Sequence, residues 1–244
     1  MHNFKYTIHS YTENAVYVSL GDGISTHYLS FIKSVMNSLT RKNIPGFIEA
    51  VPGYNNITIY YDPLIVYQNN HHTNVQQIFI NELDKFLTNL KIQVDKQCSP
   101  IEIPVCYDPQ LGIDLEFIAK SNHLTVDEVI QYHSERVYTV HMLGFSPGFP
   151  FLGGMNEKIA TPRKKVPSRK IPAGSVGIAG KQTGIYPNET PGGWQIIGRT
   201  PAQLFNVHQK QPSLLNPGDL VKFYPISLKS FKELEEKMFD YHSS

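Results

Sequence analysis

Residues 141–155 read "HMLGFSPGFPFLGGM". Three phenylalanines stand among four glycines and two prolines. Proline and glycine at this density fit neither a regular helix nor a regular strand, so the stretch is expected to be a shaped loop. It follows "RVYTVHML" (136–143), a β-rich run that reads as a strand ending near His141. From there to residue 218 glycine and proline stay dense, and β-branched residues come in short bursts. "SVGIA" (175–179), "WQIIG" (194–198) and "LVKFYPI" (220–226) read as strands separated by turns such as "NPGD" (216–219). That texture predicts a compact all-β barrel or sandwich for the second part of the chain.

Upstream, "IEIPVCYD" (101–108) opens this part as a strand, and short helices are expected at 112–121 and 125–134. Thr125 with Glu128 three residues on forms a capping box. Downstream, Phe231, Leu234, Met238 and Tyr241 predict a closing helix. The first ~95 residues have a different pattern. "AVYVSL" (15–20), "GFIEAV" (46–51) and "NITIYYD" (56–62) read as strands, and "KIQVD" (91–95) as a last one. Apolar stripes at helical spacing run from Ile24 to Leu39 and from Val75 to Leu90. The order β-α-β-β-α-β predicts an open sheet covered on one face by two helices. The polar "DKQCSP" (95–100) marks the boundary, giving an N-terminal α/β domain over 1–95 and a β-barrel domain over 96–244: an α+β chain.

Of the 244 residues 41% are hydrophobic and 18% charged, enough apolar surface for packed cores. A net charge of +1 with scattered Lys and Arg argues against nucleic acid as partner. No apolar run reaches the ~20 residues of a membrane span. The N-terminus has no basic region leading into an apolar block, so neither a signal peptide nor a membrane location is expected. Cys98 and Cys106 fit no disulfide framework or Cys-x-x-Cys pair, which points to reduced thiols in the cytoplasm.

The segment "TPRKKVPSRKIPAGSVGIAGKQTGIYPNETPGGWQIIGRTP" (161–201) tempts a phosphate-loop reading. Gly174, Gly180 and Lys181 have the wrong spacing for it, and Gln182 stands where Ser or Thr would hold magnesium. No metal-ligand motif and no serine elbow is present, so no metal is expected. What remains is a concentration of polar groups on stiff loops. Arg163, Arg169 and Arg199 offer planar forks to a carboxylate or phosphate. His141, Gln182, Thr183, Tyr186 and Gln195 add neutral donors and acceptors. Each has a plainer reading: a solvated or ion-paired arginine, a hydrogen-bonded core histidine, Trp194 as packing. Their density in one stretch favours a site, and His141, Arg169, Gln182 and Arg199 are expected to converge on one cavity.

"GFSPGFPFLGG", "PRKKVPSRKIPAGSVGIAGKQTGIYP" and "PGGWQIIGRTP" closely resemble the family of 5-oxoprolinase B subunits, also labelled KipI and allophanate hydrolase subunit 1. The match is specific over ~136–226 and weaker before it. The resemblance implies an N-terminal α/β domain and a cyclophilin-like C-terminal barrel. It implies the C and A subunits as partners, and ATP, with or without magnesium, as co-substrate in opening 5-oxoproline to L-glutamate. In that frame His141, Arg169 and Arg199 are the catalytic candidates. Gly148, Phe149, Arg163, Ser175, Gln182, Thr183, Tyr186 and Trp194 are candidates for holding substrate or nucleotide. Two alternatives stay open: inhibition of a sporulation-type histidine kinase, and a carboxyltransferase component acting on urea or a similar small amide.

Overall fold

The structure, a computed structural model, describes residues 4–243 except 24, 26, 40–43, 71–73 and 93–98, with no side chains beyond residue 237. Ile24, Cys98, the end of the expected strand 91–95, most of the expected linker, and the Met238 and Tyr241 side chains lie outside the described residues. By its contacts the chain divides into two compact units, Met1–Gln97 and Cys98–Ser244.

The first unit runs β1 (Thr7–Thr12), β2 (Ala15–Ser19), α1 (His27–Leu39), β3 (Phe47–Pro52), β4 (Asn56–Tyr61), α2 (Pro63–Asn70) and α3 (Val75–Thr88). Its strands form an antiparallel sheet in the order β1-β2-β4-β3. Alternation decides the buried face: Ile57, Ile59 and Tyr61 of β4 point into a core shared with Phe31, Ile32 and Val35 of α1 and Phe79 and Leu83 of α3. Two elements differ from the expected order. β1 is polar and mostly exposed, an edge strand with no apolar alternation to announce it. α2 buries only Val66 and exposes Leu64, Ile65 and Tyr67, so it has no stripe. Its signal is local: the Asp62 carboxylate accepts from the Leu64 and Ile65 backbone N–H groups, and Pro63 takes the first helical position.

The second unit holds β5 (Ile101–Cys106), α4 (Leu115–Ser121), α5 (Val126–Ser134), β6 (Val137–Leu143), β7 (Pro150–Gly153), β8 (Ser168–Ile171), β9 (Ser175–Ala179), β10 (Gln182–Ile185), β11 (Thr190–Gly192), β12 (Gln195–Arg199), β13 (Leu220–Ile226) and α6 (Leu228–Ser243). Seven strands close a barrel in the order β10-β7-β6-β13-β5-β12-β9, and β8 with β11 make a separate ribbon. The capping box of α5 is formed: Thr125 Oγ1 accepts from Glu128 N, and the Glu128 carboxylate accepts from Thr125 N.

The barrel core is apolar apart from one polar chain. Thr183 Oγ1 donates to the Gly177 carbonyl at 3.0 Å, so at 2.9 Å from His133 Nε2 it acts as acceptor and the ring carries its proton there. His133 Nδ1 then accepts from the Tyr107 hydroxyl at 2.7 Å. The ring is wholly buried, stacked on Phe223, and burial lowers its pKa to about 3.

The stretch 141–155 consists of two strand ends and a tight connection. His141–Leu143 finish β6, Pro150–Gly153 form β7, and Pro150 is tolerated as the first residue of its strand. The register slips between Val140 and Met142, which makes His141 the extra residue of a bulge. Its ring lies where a side chain on Gly153 would be, so the glycine is required there. Replacing Gly153 with Ala is expected to destabilise the barrel by about 1–3 kcal/mol through overpacking, read as a lowered midpoint in urea at unchanged slope.

Candidate functional site: an aromatic cleft

The connection after β6 packs its phenylalanines into a cluster that β9, β10 and β12 complete. Phe149, Ile171, Ala179, Tyr186, Trp194 and Ile196 form a small core of their own, with Phe151 packed against it. Phe149 meets Tyr186 edge-on at 5.1 Å between ring centroids and Trp194 at 5.4 Å. Each such pair contributes about 0.5–1.5 kcal/mol beyond area burial. The cluster surrounds a cleft of about 90 Å³ lined by Phe145, Phe149, Phe151, Arg163, Tyr186, Gly192, Gly193 and Trp194. Burial raises the Tyr186 pKa, while a hydrogen bond from the Trp194 backbone and the Arg163 charge oppose that rise.

Arg163 is the charge at this cleft, with its guanidinium carbon 5.9 Å from the Trp194 ring centroid. The neighbouring backbone is tied down. Gln195 Nε2 donates to the Pro162 carbonyl at 3.0 Å, and Lys164 N donates to the Gly193 carbonyl at 2.7 Å. The Lys164 ammonium pairs with Asp114 at 2.7 Å, and the same carboxylate oxygen accepts from Ile196 N. The lysine charge is therefore engaged within the fold, whereas the exposed Arg163 head stays at the cleft rim.

The expected site residues divide. Phe149, Arg163, Tyr186 and Trp194 line the cleft. Gly148, at φ +82°, supports it from behind, where a side chain would strike Phe205. The remaining candidates have other surroundings. His141 is 4% exposed in the bulge of β6, and burial lowers its pKa. Arg169 is exposed on β8. Arg199 clasps the final helix: Nε donates to the Ala173 carbonyl at 2.7 Å, Nη2 sits 3.1 Å from Glu235, and the head lies 5.6 Å from the Phe231 ring centroid. Ser175 is buried in β9, opposite Arg199 in the strand register. Thr183 belongs to the buried His133 chain, and Gln182 opens β10 beside the β9–β10 turn. A second cavity of about 350 Å³ lies between Pro104, the 201–214 segment and Leu234 of α6. Neither cavity is lined by His141, Arg169, Gln182 or Arg199. The segment that tempted a phosphate-loop reading is strand β9 between two turns, and the Lys181 ammonium pairs with Glu157 at 2.7 Å.

Phe145, Gly192, Gly193 and the Lys164–Asp114 pair are functional neighbours that sequence reasoning does not single out. "PGG" before Trp194 is the available signal for the glycines, because only small residues leave room beside an aromatic wall. Nothing in "KK" tells which lysine is buried.

A closed seven-strand barrel bearing this cleft is a carboxyltransferase-type domain: residues 6–215 match the family described as carboxyltransferase domain, subdomain C and D. The 5-oxoprolinase B subunit of Bacillus subtilis (strain 168) is 40% identical over 235 residues, 96% of this chain and 98% of the relative. That of Haemophilus influenzae is 46% identical over 176 residues, 72% and 78% of the two chains. The chain belongs to this family of 5-oxoprolinase B subunits. The crystal structure of Kluyveromyces lactis urea carboxylase superposes with a TM-score of 0.71 at 20% identity, covering 95% of this chain and 23% of that one, and so speaks for the fold alone. Among the described residues no helix is long and apolar enough to cross a membrane.

Proposed function

We propose that this chain is the B subunit of an ATP-dependent 5-oxoprolinase that works with the A and C subunits to convert 5-oxoproline to L-glutamate. Beyond family membership, the observation that carries the reading is the aromatic cleft with Arg163 at its rim. 5-Oxoproline is a flat five-membered lactam bearing a carboxylate. Aromatic walls suit the ring and a guanidinium suits the carboxylate. The cleft is smaller than the ~300–1,000 Å³ usual for a complete small-molecule site. It supplies one wall, and a partner subunit supplies the rest.

In the reaction water opens the lactam C–N bond while ATP is hydrolysed to ADP and phosphate. This chain's part is to bind and orient the substrate and to exclude water from its ring face. Lys181 is ion-paired and β9 is a strand, so ATP phosphates find no loop cradle around Gly174–Lys181. The nucleotide is assigned to the assembled complex, not to this segment.

The purified chain alone, given ATP and 5-oxoproline, is expected to release neither ADP nor glutamate above background. Mixed with the A and C subunits it should release both. Full turnover by the chain alone would overturn the split-site reading. A carboxyltransferase acting on a small amide is the second reading, favoured by the family description of residues 6–215. It predicts dependence on a biotin carrier, which the same assay detects.

A further inference from the structure

We infer that Phe145 is a specificity-determining residue that caps the ring of the bound ligand, an inference that rests on the 5-oxoproline reading of the cleft. Phe145 stands at φ +69°, a conformation that is a genuine outlier for a bulky side chain. Ser146 N donates to the Gly144 carbonyl at 2.8 Å across it. A three-residue turn centred on a positive φ is the rare, strained form of the γ-turn. The chain does not adopt this geometry to bury the ring, for Phe145 is 64% exposed. The ring is instead held at the cleft, edge-on to Phe149 at 5.5 Å and to Tyr186 at 6.2 Å.

The surroundings over-determine the turn, as strain requires if it is to persist. Gly144 N donates to the Phe149 carbonyl at 3.1 Å and Phe149 N to the Ser146 carbonyl at 3.0 Å, closing the connection on itself. Behind it Gly148 abuts Leu204 and Phe205. The Ser146 hydroxyl is buried without a hydrogen-bond partner among the described residues, a second departure from an ordinary turn. Strain that brings no burial is explained by presentation. With Phe149 and Tyr186 as floor, an exposed ring at the mouth can cover the free face of a flat, small ring and exclude a bulkier one.

The test uses the assembled complex with Phe145→Gly, which removes the ring and suits the left-handed backbone, and Phe145→Tyr, which keeps the ring. Phe145→Gly is expected to leave the melting temperature equal or higher, since the strain is relieved. It should raise KM for 5-oxoproline about tenfold with kcat within about twofold. It should also narrow the preference for 5-oxoproline over ring-substituted analogues, while Phe145→Tyr stays close to wild type. An unchanged KM and preference in Phe145→Gly, with the wild-type complex active, overturns the inference and leaves the substrate reading standing. A wild-type complex that ignores 5-oxoproline fells the substrate reading and the inference with it. A lowered melting temperature in Phe145→Gly would make the ring a packing group and overturns the capping role.

Discussion

Acidification from pH 6.5 towards pH 3 is expected to remove on the order of 5 kcal/mol from the stability of the barrel unit through one histidine, His133. Its ring is wholly buried, and burial lowers its pKa to about 3 from the ordinary 6.5. The unfolded chain therefore takes up the proton first as pH falls. The contribution is intact above pH 6.5 and is lost progressively down to about pH 3, at about 1.4 kcal/mol per pH unit. The hydrogen bonds explain why the neutral ring is fixed. Nδ1 must accept from Tyr107 and Nε2 must donate to Thr183, so a second proton has no acceptor. Urea unfolding as a function of pH measures the slope, with His133→Gln as the non-titrating control. Carboxylates contribute to both proteins, so the difference between their slopes isolates the histidine. Should the variant fail to fold, NMR of the wild-type ring gives the answer: it stays neutral at about pH 5 in the native state, and a protonated ring there contradicts the account.

The second large effect concerns Arg163. Replacing it with Ala in the assembled complex is expected to raise KM for 5-oxoproline by about ten- to a hundredfold, the usual loss for a charge-assisted hydrogen bond. Stability should be unaffected, because the guanidinium is exposed beside the Trp194 face, and an exposed side chain carries little of the fold. Arg163→Lys should recover part of the charge but not the planar fork. Arg199→Ala should behave differently. That side chain holds Ala173 and Glu235, so its loss should lower the melting temperature of the barrel unit before it touches KM.

The barrel was legible wherever β-branched residues alternated or clustered. "SVGIA" and "LVKFYPI" name their own strands, and Thr125 with Glu128 names its helix. Closure was not legible, since the β13–β5 parallel pairing joins residues far apart in sequence and leaves no local trace. In the first unit β1 and α2 carry no apolar period, so nothing in their sequence announces them. The cleft was legible as composition: phenylalanines, a tryptophan and an arginine among glycines. Its geometry was not. A sequence shows that Phe145, Arg199 and Thr183 exist, but not that the first is forced to a positive φ. Nor does it show that the other two already engage their polar atoms with Ala173, Glu235, His133 and Gly177.

Trp194 is the single tryptophan of the chain and stands in the cleft wall, which makes it a reporter of the proposed site. The most direct measurement titrates 5-oxoproline into the assembled complex and takes the fluorescence difference between complexes carrying the wild-type chain and Trp194→Phe. The expected result is a saturable change whose midpoint agrees with KM and moves to higher concentration in Arg163→Ala. A complex that turns over 5-oxoproline while the Trp194 signal stays flat would place the substrate elsewhere and contradict the assignment of this cleft.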